Sequence, residues 1–279
     1  MGTHLSDQRP PEQRLDVALS ERGIARSRTH AARLIADGSV TVDGQTVIKP
    51  SVRVTDDQVL AVRNIDHYVS RAAHKLLAAL DAFPVEVAGK EAVDVGASTG
   101  GFTQVLLERG ASSVVALDVG HGQLDRILAI DKRVTLIEGF NARDLTSAGL
   151  DAAAKRVVRA EVIVGDLSFI SLTTVLPAIV TTVGPHADYL FLIKPQFEVG
   201  RTGIREGIVR DPGLRVEAVG AVLWAAWDLG LKTAGLISSP ILGTAGNHEY
   251  LAWLSAGTGS NPTEWTDRVF GAGRSPKFE

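Results

Sequence analysis

Residues 93–102, VDVGASTGGF, decide the fold of this chain. An apolar strand pattern ends in a glycine-rich turn, and a helical pattern follows from Gly101. Glycines in such a turn permit positive backbone φ angles and let a ligand approach the main chain closely. The N-terminus of the following helix suits a bound carboxylate as well as a phosphate. The stretch therefore predicts a strand–turn–helix unit with a ligand at its turn.

The glycine spacing and the next strand narrow the kind of ligand. The spacing departs from the GxGxxG pattern of dinucleotide sites, so a pyrophosphate is not favoured, although NAD or flavin binding stays open. The next apolar strand ends at Asp118, and an acid there can accept hydrogen bonds from both ribose hydroxyls of a nucleoside. The turn and the acid together favour a nucleoside cofactor.

Outward from this unit, apolar strands alternate with helical segments. We predict a helix over residues 71–83, a long helix over 212–229, and strands over 91–96, 113–118, 134–138, 161–166, 188–194, 233–238 and 249–254. Such alternation predicts an α/β fold with a doubly wound, Rossmann-like sheet and helices on both faces. With 279 residues and 45% hydrophobic content, the chain can also bury a second, smaller core.

A small α+β unit precedes that domain. Two short helical patterns are followed by residues 40–48, VTVDGQTVI, which predict a hairpin around Asp43-Gly44, and by a third strand at 59–62. Residues 9–33 contain six arginines and three acids, whereas the whole chain has a net charge of −3. This local excess of positive charge indicates a phosphate-binding face, with an ordinary solvated helix surface as the alternative.

The first unit resembles the S4 RNA-binding domain. The resemblance rests on residues 14–47, RLDVALSERGIARSRTHAARLIADGSVTVDGQTV, and departs at Asp43, where the family often has Asn. It implies that the second helix and the hairpin present a basic surface to structured RNA. RNA contacts are then expected from Arg14, Arg26, Arg28 and Arg33, joined by Arg71 at the start of the next domain.

Further segments carry unusual polar residues at predicted strand ends or at the start of the large domain. They are SRAAHKL (70–76), GDLSFISL (165–172), IKPQFE (193–198) and GNHEY (246–250). The carboxyl ends of strands form the ligand crevice of an open α/β sheet. Because Asp166 and Lys194 each close an apolar strand, both should face that crevice.

Together with DVGASTGGFT (94–103), these segments resemble the FtsJ-like ribose methyltransferases. With the S4-like unit in front, the chain from about residue 14 to 258 resembles the TlyA family, also labelled hemolysin A. The resemblance implies S-adenosylmethionine-dependent 2′-O-methylation of a cytidine in small-subunit ribosomal RNA, with the large subunit as a second candidate. It also implies an antiparallel last strand and a Lys-Asp-Lys-Glu tetrad. The tetrad positions are Lys75, Asp166, Lys194 and Glu249.

The same resemblance assigns the cofactor contacts. S-adenosylmethionine is expected at the glycine turn and after the neighbouring strands, at Asp94, Gly96, Ser98, Gly100, Gly101, Phe102, Asp118, Asn141 and Asp166. Phe140 is a further candidate that is equally typical of a core aromatic.

The tetrad suits the activation of a ribose 2′-hydroxyl. This group is a poor nucleophile at neutral pH because it must lose its proton as the new bond forms. Lys194 is the candidate for contacting the 2′-oxygen, while the other members position it and balance charge. The sequence leaves the protonation state of Lys194 open. Judged alone, Lys75 is also typical of a surface ion pair and Asp166 of a helix cap.

We expect the chain to have several parts. They are a disordered lead-in over 1–13, the S4-like domain over 14–62, a linker over 63–70, the methyltransferase domain over 71–258 and a tail over 259–279.

Features missing from the sequence exclude other classes of protein. The lack of cysteine excludes disulfides and cysteine nucleophiles, and no HxxxH, HExxH or GxSxG spacing points to a metal site or a hydrolase. No apolar run approaches the ~20 residues of a membrane span, and the N-terminus lacks a signal pattern. We expect a cytoplasmic protein without a membrane or metal, and two functional modules on one chain favour a monomer. The family resemblance implies ribosomal RNA or ribosomal subunits as its partners. A membrane-lytic hemolysin-like protein and a non-catalytic RNA-binding factor are the alternatives.

Overall fold

The computed structural model describes residues 12–25, 27–36, 38–62, 67–200, 203–243 and 246–265. Its contacts divide the chain into two compact units, residues 1–67 and residues 68–279. Each unit has its own hydrophobic core.

The N-terminal unit, as far as it is described, contains two helices and five short strands. In chain order these are β1 (Gln13–Arg14), α1 (Leu15–Glu21), α2 (Arg28–Ala36), β2 (Val40–Val42), β3 (Gln45–Thr46), β4 (Arg53–Val54) and β5 (Leu60–Val62). Leu15 and Leu19 of α1 and Ile35 of α2 are fully buried in its core. Asp43 and Gly44 have positive φ angles of 50° and 81°, as a two-residue hairpin turn requires. The predicted hairpin is thus confirmed, because β2 and β3 pair antiparallel.

Residue 13 belongs to this unit and not to a lead-in. Gln13 and Arg14 pair antiparallel with Val54 and Arg53. The predicted disordered segment is therefore too long at its end, because main-chain pairing holds Gln13 in place. Residues 1–11 of that segment lie outside the described residues.

A seven-stranded sheet forms the centre of the larger unit within its described part. Its strands are β6 (Glu91–Val95), β7 (Ser113–Leu117), β8 (Val134–Ile137), β9 (Val162–Gly165), β10 (Asp188–Ile193), β11 (Lys232–Ser238) and β12 (Tyr250–Ser255). They lie in the order β11-β12-β10-β9-β6-β7-β8. The pairs from β10 to β8 are parallel, whereas β12 runs antiparallel to both β10 and β11. The expected antiparallel last strand is confirmed.

Helices cover both faces of this sheet. They are α3 (Ala73–Ala82), α4 (Gly101–Glu108), α5 (Arg126–Ala129), α6 (Ser147–Ala154), α7 (Leu172–Val183), α8 (Pro195–Glu198) and α9 (Pro212–Asp228). Leu76 of α3 and Leu106 of α4 lie in one buried cluster, and Ile179 of α7 and Val222 of α9 lie in the other. Successive strand residues alternate between these clusters, as the two faces of a strand require. The predicted α/β fold is confirmed.

Part of the predicted linker belongs to the larger unit. The Val69 N–H donates to Oε1 of Gln104 at 2.9 Å, and the Tyr68 ring meets the His74 ring edge-on at 5.6 Å. These contacts fasten residues 68–70 to the unit that follows them. Residues 63–66 lie outside the described part of the chain.

Part of the predicted tail is also packed. Ser260 pairs with Thr233 in an antiparallel bridge, and Trp265 is buried in the core on one face of the sheet. The fold therefore continues to residue 265, beyond the predicted end at 258, because an aromatic side chain fills the core there. In the part of the chain that the structure describes, every helix is too short or too polar to cross a membrane.

Candidate active site

The candidate site opens at the point where the strand order reverses, between β6 and β9. Val95 pairs with Gly165, so the residues that follow them, Gly96 and Asp166, lie side by side at the carboxyl ends of the strands. Gly96 has a φ of 83°, and a β-carbon there would lie 3.4 Å from the main-chain oxygen of Asp166. Ligands of open α/β sheets bind at such switch points.

The turn after β6 fixes the carboxylate of Asp118. Ser98 has a φ of 48°, which aims its main-chain N–H at Oδ2 of Asp118 at 2.7 Å. The Gly120 N–H donates to Oδ1 at the same distance. Each carboxylate oxygen keeps a second lone pair, so Asp118 can still accept two ribose hydroxyls.

A cavity of about 510 Å³ lies beside this carboxylate. Its apolar lining includes Leu117, Val119, Phe140, Leu167 and Ile170, and its polar lining includes Ser98, Asp118, Gln123, Asn141 and Asp166. An apolar wall next to a fixed acid suits a base joined to a ribose. The residues present therefore fit a nucleoside cofactor.

Phe140 combines the two roles that the sequence left open, because it lines this cavity and also packs against the core. Asn141 lines the cavity while its side-chain oxygen accepts the Arg143 N–H at 3.1 Å. Gln123 was not predicted. Its Oε1 accepts the Ser98 hydroxyl at 3.3 Å, a contact that no spacing in the sequence signals.

Two of the predicted cofactor residues lie behind the turn and line neither of the cavities described here. Gly100 is the N-cap of α4 with a φ of 98°, and a β-carbon there would overlap the Leu128 side chain. Asp94 is fully buried, and its Oδ2 accepts the Thr103 hydroxyl at 2.6 Å while Oδ1 has no partner. Burial raises the pKa of Asp94 to about 7, and the charges of Asp166 and Asp118 add to the increase.

A second, smaller cavity of about 230 Å³ adjoins the first. The two share Gly96, Ser98, Asp166 and Ser168 as lining residues. The remaining lining of the smaller cavity includes Arg71, Gly101, Phe102, Lys75, Lys194 and Glu249. The structure therefore gathers all four residues of the expected tetrad around one small space next to the nucleoside-sized cavity.

The four tetrad side chains form a row of alternating charges. Nζ of Lys75 lies 2.6 Å from Oε2 of Glu249 and 4.0 Å from Oδ2 of Asp166. Oδ1 of Asp166 lies 2.6 Å from Nζ of Lys194 in an ion pair without the angles of a hydrogen bond. Lys75, Lys194 and Glu249 are each at least nine-tenths buried. Lys75 thus forms a buried ion pair instead of the surface ion pair considered above. Asp166 contacts two lysines instead of capping a helix.

Two further polar residues support the row. Ser168 accepts a hydrogen bond from Nζ of Lys194 at 2.7 Å. Gln196 donates from Nε2 to Oε1 of Glu249 at 3.3 Å. Both residues stand in motifs that the sequence singled out, but sequence reasoning selected only the charged members of those motifs.

An exposed aromatic residue marks the rim of the site. The Phe169 side chain is 93% exposed, and its φ of 64° is rare for a residue with a β-carbon. Its ring lies 5.4 Å from the ring of Phe197, which in turn lies 5.9 Å from Nζ of Lys194. Sequence reasoning missed Phe169, because a hydrophobic residue after a strand is normally expected to be buried.

The predicted RNA-binding arginines are only partly described. Arg14 binds Asp16 through two hydrogen bonds of 2.9 and 3.1 Å, and Arg28 reaches the same carboxylate at 3.4 Å. The bond from Arg14 holds the pKa of Asp16 below its ordinary value. Arg26 and the side chain of Arg33 lie outside the described part. Arg71 lies in the other unit, at the smaller cavity.

Comparison with known proteins identifies two families along the chain. Residues 13–60 match the S4 domain, and residues 68–256 match the FtsJ-like methyltransferases.

Several known proteins are similar over most of the chain. The 16S/23S rRNA (cytidine-2′-O)-methyltransferase TlyA of Mycobacterium tuberculosis is 48% identical over 88% of this chain and 90% of its own. Hemolysin A of Brachyspira hyodysenteriae is 41% identical over 86% of this chain and 98% of its own. The solved structure of a Streptococcus thermophilus protein, described only provisionally as a hemolysin, aligns with a TM-score of 0.73 at 35% identity. That alignment covers 95% of this chain and 97% of the other. The chain therefore belongs to the FtsJ-like methyltransferases, in the group with an N-terminal S4 domain that is known as the TlyA family.

Proposed function

We propose that this methyltransferase transfers a methyl group from S-adenosylmethionine to the 2′-hydroxyl of a cytidine in ribosomal RNA. The observation that carries the proposal is the Asp166–Lys194 pair, which lies where the nucleoside-sized cavity meets the smaller one. The choice of cytidine and of ribosomal RNA follows the relative from Mycobacterium tuberculosis, whose name states both. The small subunit is our first candidate, and the large subunit is the second.

The larger cavity would hold the cofactor. Asp118 would accept the ribose hydroxyls, and the apolar wall with Phe140 and Asn141 would receive the adenine. When bound, S-adenosylmethionine supplies a methyl group on a positively charged sulfur. The carboxylates of Asp118 and Asp166, which line the larger cavity, would favour that positive charge by Coulomb attraction.

The smaller cavity would receive the acceptor ribose. Nζ of Lys194 donates a hydrogen bond to Ser168 and forms an ion pair with Asp166. Its remaining hydrogen-bonding capacity would serve the 2′-oxygen and orient it toward the methyl group. Such positioning is a large part of catalysis when two reactants must meet in line.

As the carbon–oxygen bond forms and the methyl–sulfur bond breaks, Nζ of Lys194 would give a proton to Oδ1 of Asp166 and take up the proton of the 2′-hydroxyl in its place. The electron pair of the broken bond stays on the sulfur, so the charges balance when the proton leaves the site. Lys75 and Glu249 would hold the Asp166 carboxylate in place, because Lys75 stands between the two acids. Their burial keeps water from competing with the 2′-oxygen.

The target base and the flanking RNA would lie outside these cavities. Phe169 offers an exposed ring on which a base can stack. Arg71 at the smaller cavity and the arginines of the S4 domain would bind phosphates. We further propose that the enzyme acts as a monomer in the cytoplasm, where ribosomal subunits are available.

The test is a transfer assay with radiolabelled S-adenosylmethionine and purified ribosomal subunits, followed by mapping of 2′-O-methyl groups. Label at one cytidine ribose is expected with the wild-type protein and not with Lys194→Ala. Binding of the cofactor in calorimetry without any label in RNA would contradict the proposal. Lysis of red cells by the purified protein would favour the hemolysin-like alternative.

A further inference from the structure

A half-buried carboxylate outside the tetrad joins the two loops that carry Lys194 and Asp166. Glu198, the last residue of α8, accepts the Ser171 hydroxyl at Oε2 at 2.5 Å and the Leu172 N–H at Oε1 at 2.8 Å. Burial raises the pKa of Glu198. Within the described part of the chain, no cation pairs with it. Both carboxylate oxygens are thus directed at the start of α7.

These contacts close a short bridge between neighbouring strands. Lys194 and Glu198 follow β10, whereas residues 166–171 follow β9 and lead into α7. The same two loops touch at Lys194 with Ser168 and at Phe197 with Phe169. Glu198 therefore holds the segment 166–171 at its end, near Ser171, while Asp166 and Ser168 lie at its beginning.

The segment needs such a constraint because its conformation is disfavoured. Phe169 has a φ of 64° and an exposed ring, so its own side-chain burial does not hold it there. A left-handed residue with a β-carbon persists only when its surroundings determine it. The bridge holds Ser171 and Leu172, two and three residues after this strained residue.

We propose that Glu198 is a positioning residue for methyl transfer, acting through Ser168 to hold Nζ of Lys194. The inference rests on the proposed function, because Lys194 is taken as the residue that orients the 2′-oxygen. Glu198 itself lines neither of the two cavities.

The main variant is Glu198→Leu, which keeps the volume of the side chain and removes both acceptors. We expect kcat at saturating RNA and cofactor to fall about 10- to 100-fold, as when a reacting group shifts by about an ångström. Ser171→Ala removes one of the same contacts from the other side and should lower kcat in the same direction. Glu206→Gln changes an exposed glutamate of the following loop and serves as the matched control with unchanged kcat.

The readout that separates positioning from a purely structural role is the combination with Ser168→Ala. If Glu198 acts through Ser168, adding Glu198→Leu to Ser168→Ala produces little further loss of kcat. If the double variant loses kcat by the product of the two single-variant losses, the two residues act independently and the inference is overturned. Full activity of Glu198→Leu would also overturn it. Glu198→Gln, which keeps an acceptor for the Leu172 N–H, should retain more kcat than Glu198→Leu, and an equal loss in both would also count against it. A wild-type enzyme that labels no RNA would instead contradict the proposed function.

Discussion

Oδ1 of Asp166 lies 2.6 Å from Nζ of Lys194, while its other oxygen lies 4.0 Å from Nζ of Lys75. One carboxylate is thus shared between a lysine from α3 and a lysine that follows β10. Breaking a buried ion pair by removing one partner costs more than the pair contributes, because a charge is left without compensation. The site should therefore respond very differently to single and to paired substitutions.

Lys194→Ala should abolish methyl transfer and leave cofactor binding largely intact. Lys194 lines the smaller cavity and not the nucleoside-sized one, so the cofactor loses no direct contact. Loss of a positioned proton-transfer group costs about 10²–10⁴-fold in rate. Single-turnover transfer and calorimetry with S-adenosylmethionine measure the two quantities. Lys90→Ala, a lysine near Asp188 at the opposite ends of the strands, is the control. Normal transfer by Lys194→Ala would refute the role given to this lysine.

Single and double substitutions in the Lys75–Glu249 pair should have different effects on the stability of the larger unit and the same effect on methyl transfer. Either Lys75→Met or Glu249→Leu leaves a buried charge without its 2.6 Å partner and should destabilise the larger unit by about 3–5 kcal/mol. The double variant replaces both charges with apolar side chains of similar volume and should recover most of that loss. It should still fail to methylate RNA. Denaturant unfolding followed by tryptophan fluorescence checks stability, because all four tryptophans lie in the larger unit. An active double variant would show that the pair has no part in catalysis.

The sequence predicted those parts of the site that depend on strand ends. Gly96, Asp166 and Lys194 each follow an apolar strand, and parallel strands bring their carboxyl ends to one edge. The contact between Lys75 and Glu249 joins residues 174 positions apart. It depends on how α3 docks against the antiparallel strand β12. Only the family resemblance, and no spacing rule, brought that pair together.

What the sequence did not predict depends on single backbone angles and on packing at the ends of the unit. Phe169 faces solvent because its φ is positive, a conformation that a pattern of residue types does not encode. Trp265 closes the core after a segment of turn residues that resembles a tail. Tyr68 likewise lies in a polar connector by composition, yet its ring packs on the larger unit.

Phe169→Ala should weaken the use of RNA without weakening the fold. Stacking of a base on an aromatic ring contributes about 1–3 kcal/mol, so kcat/KM for RNA should fall about 5- to 150-fold. Thermal stability should hardly change, because the ring is 93% exposed. Val157→Ala, an exposed apolar residue before β9, is the matched control and should leave kcat/KM unchanged. Equal kcat/KM in Phe169→Ala and the wild type would exclude the stacking role.

Asp94 should make the larger unit less stable as the pH rises. Its pKa is raised from 3.8 to about 7, mainly by burial, so the native state holds a proton that the unfolded state has lost. The stabilising contribution of this proton is complete below about pH 4 and disappears as the pH rises through about 7. Relative to Asp94→Asn, which stays neutral, the wild type should lose about 2–3 kcal/mol between about pH 5 and about pH 8. Denaturant unfolding of both proteins across this range measures the difference, and parallel stability curves would mean that Asp94 is ionised in the fold throughout. Because the variant retains an oxygen for the Thr103 hydroxyl, the comparison isolates the charge from the 2.6 Å hydrogen bond.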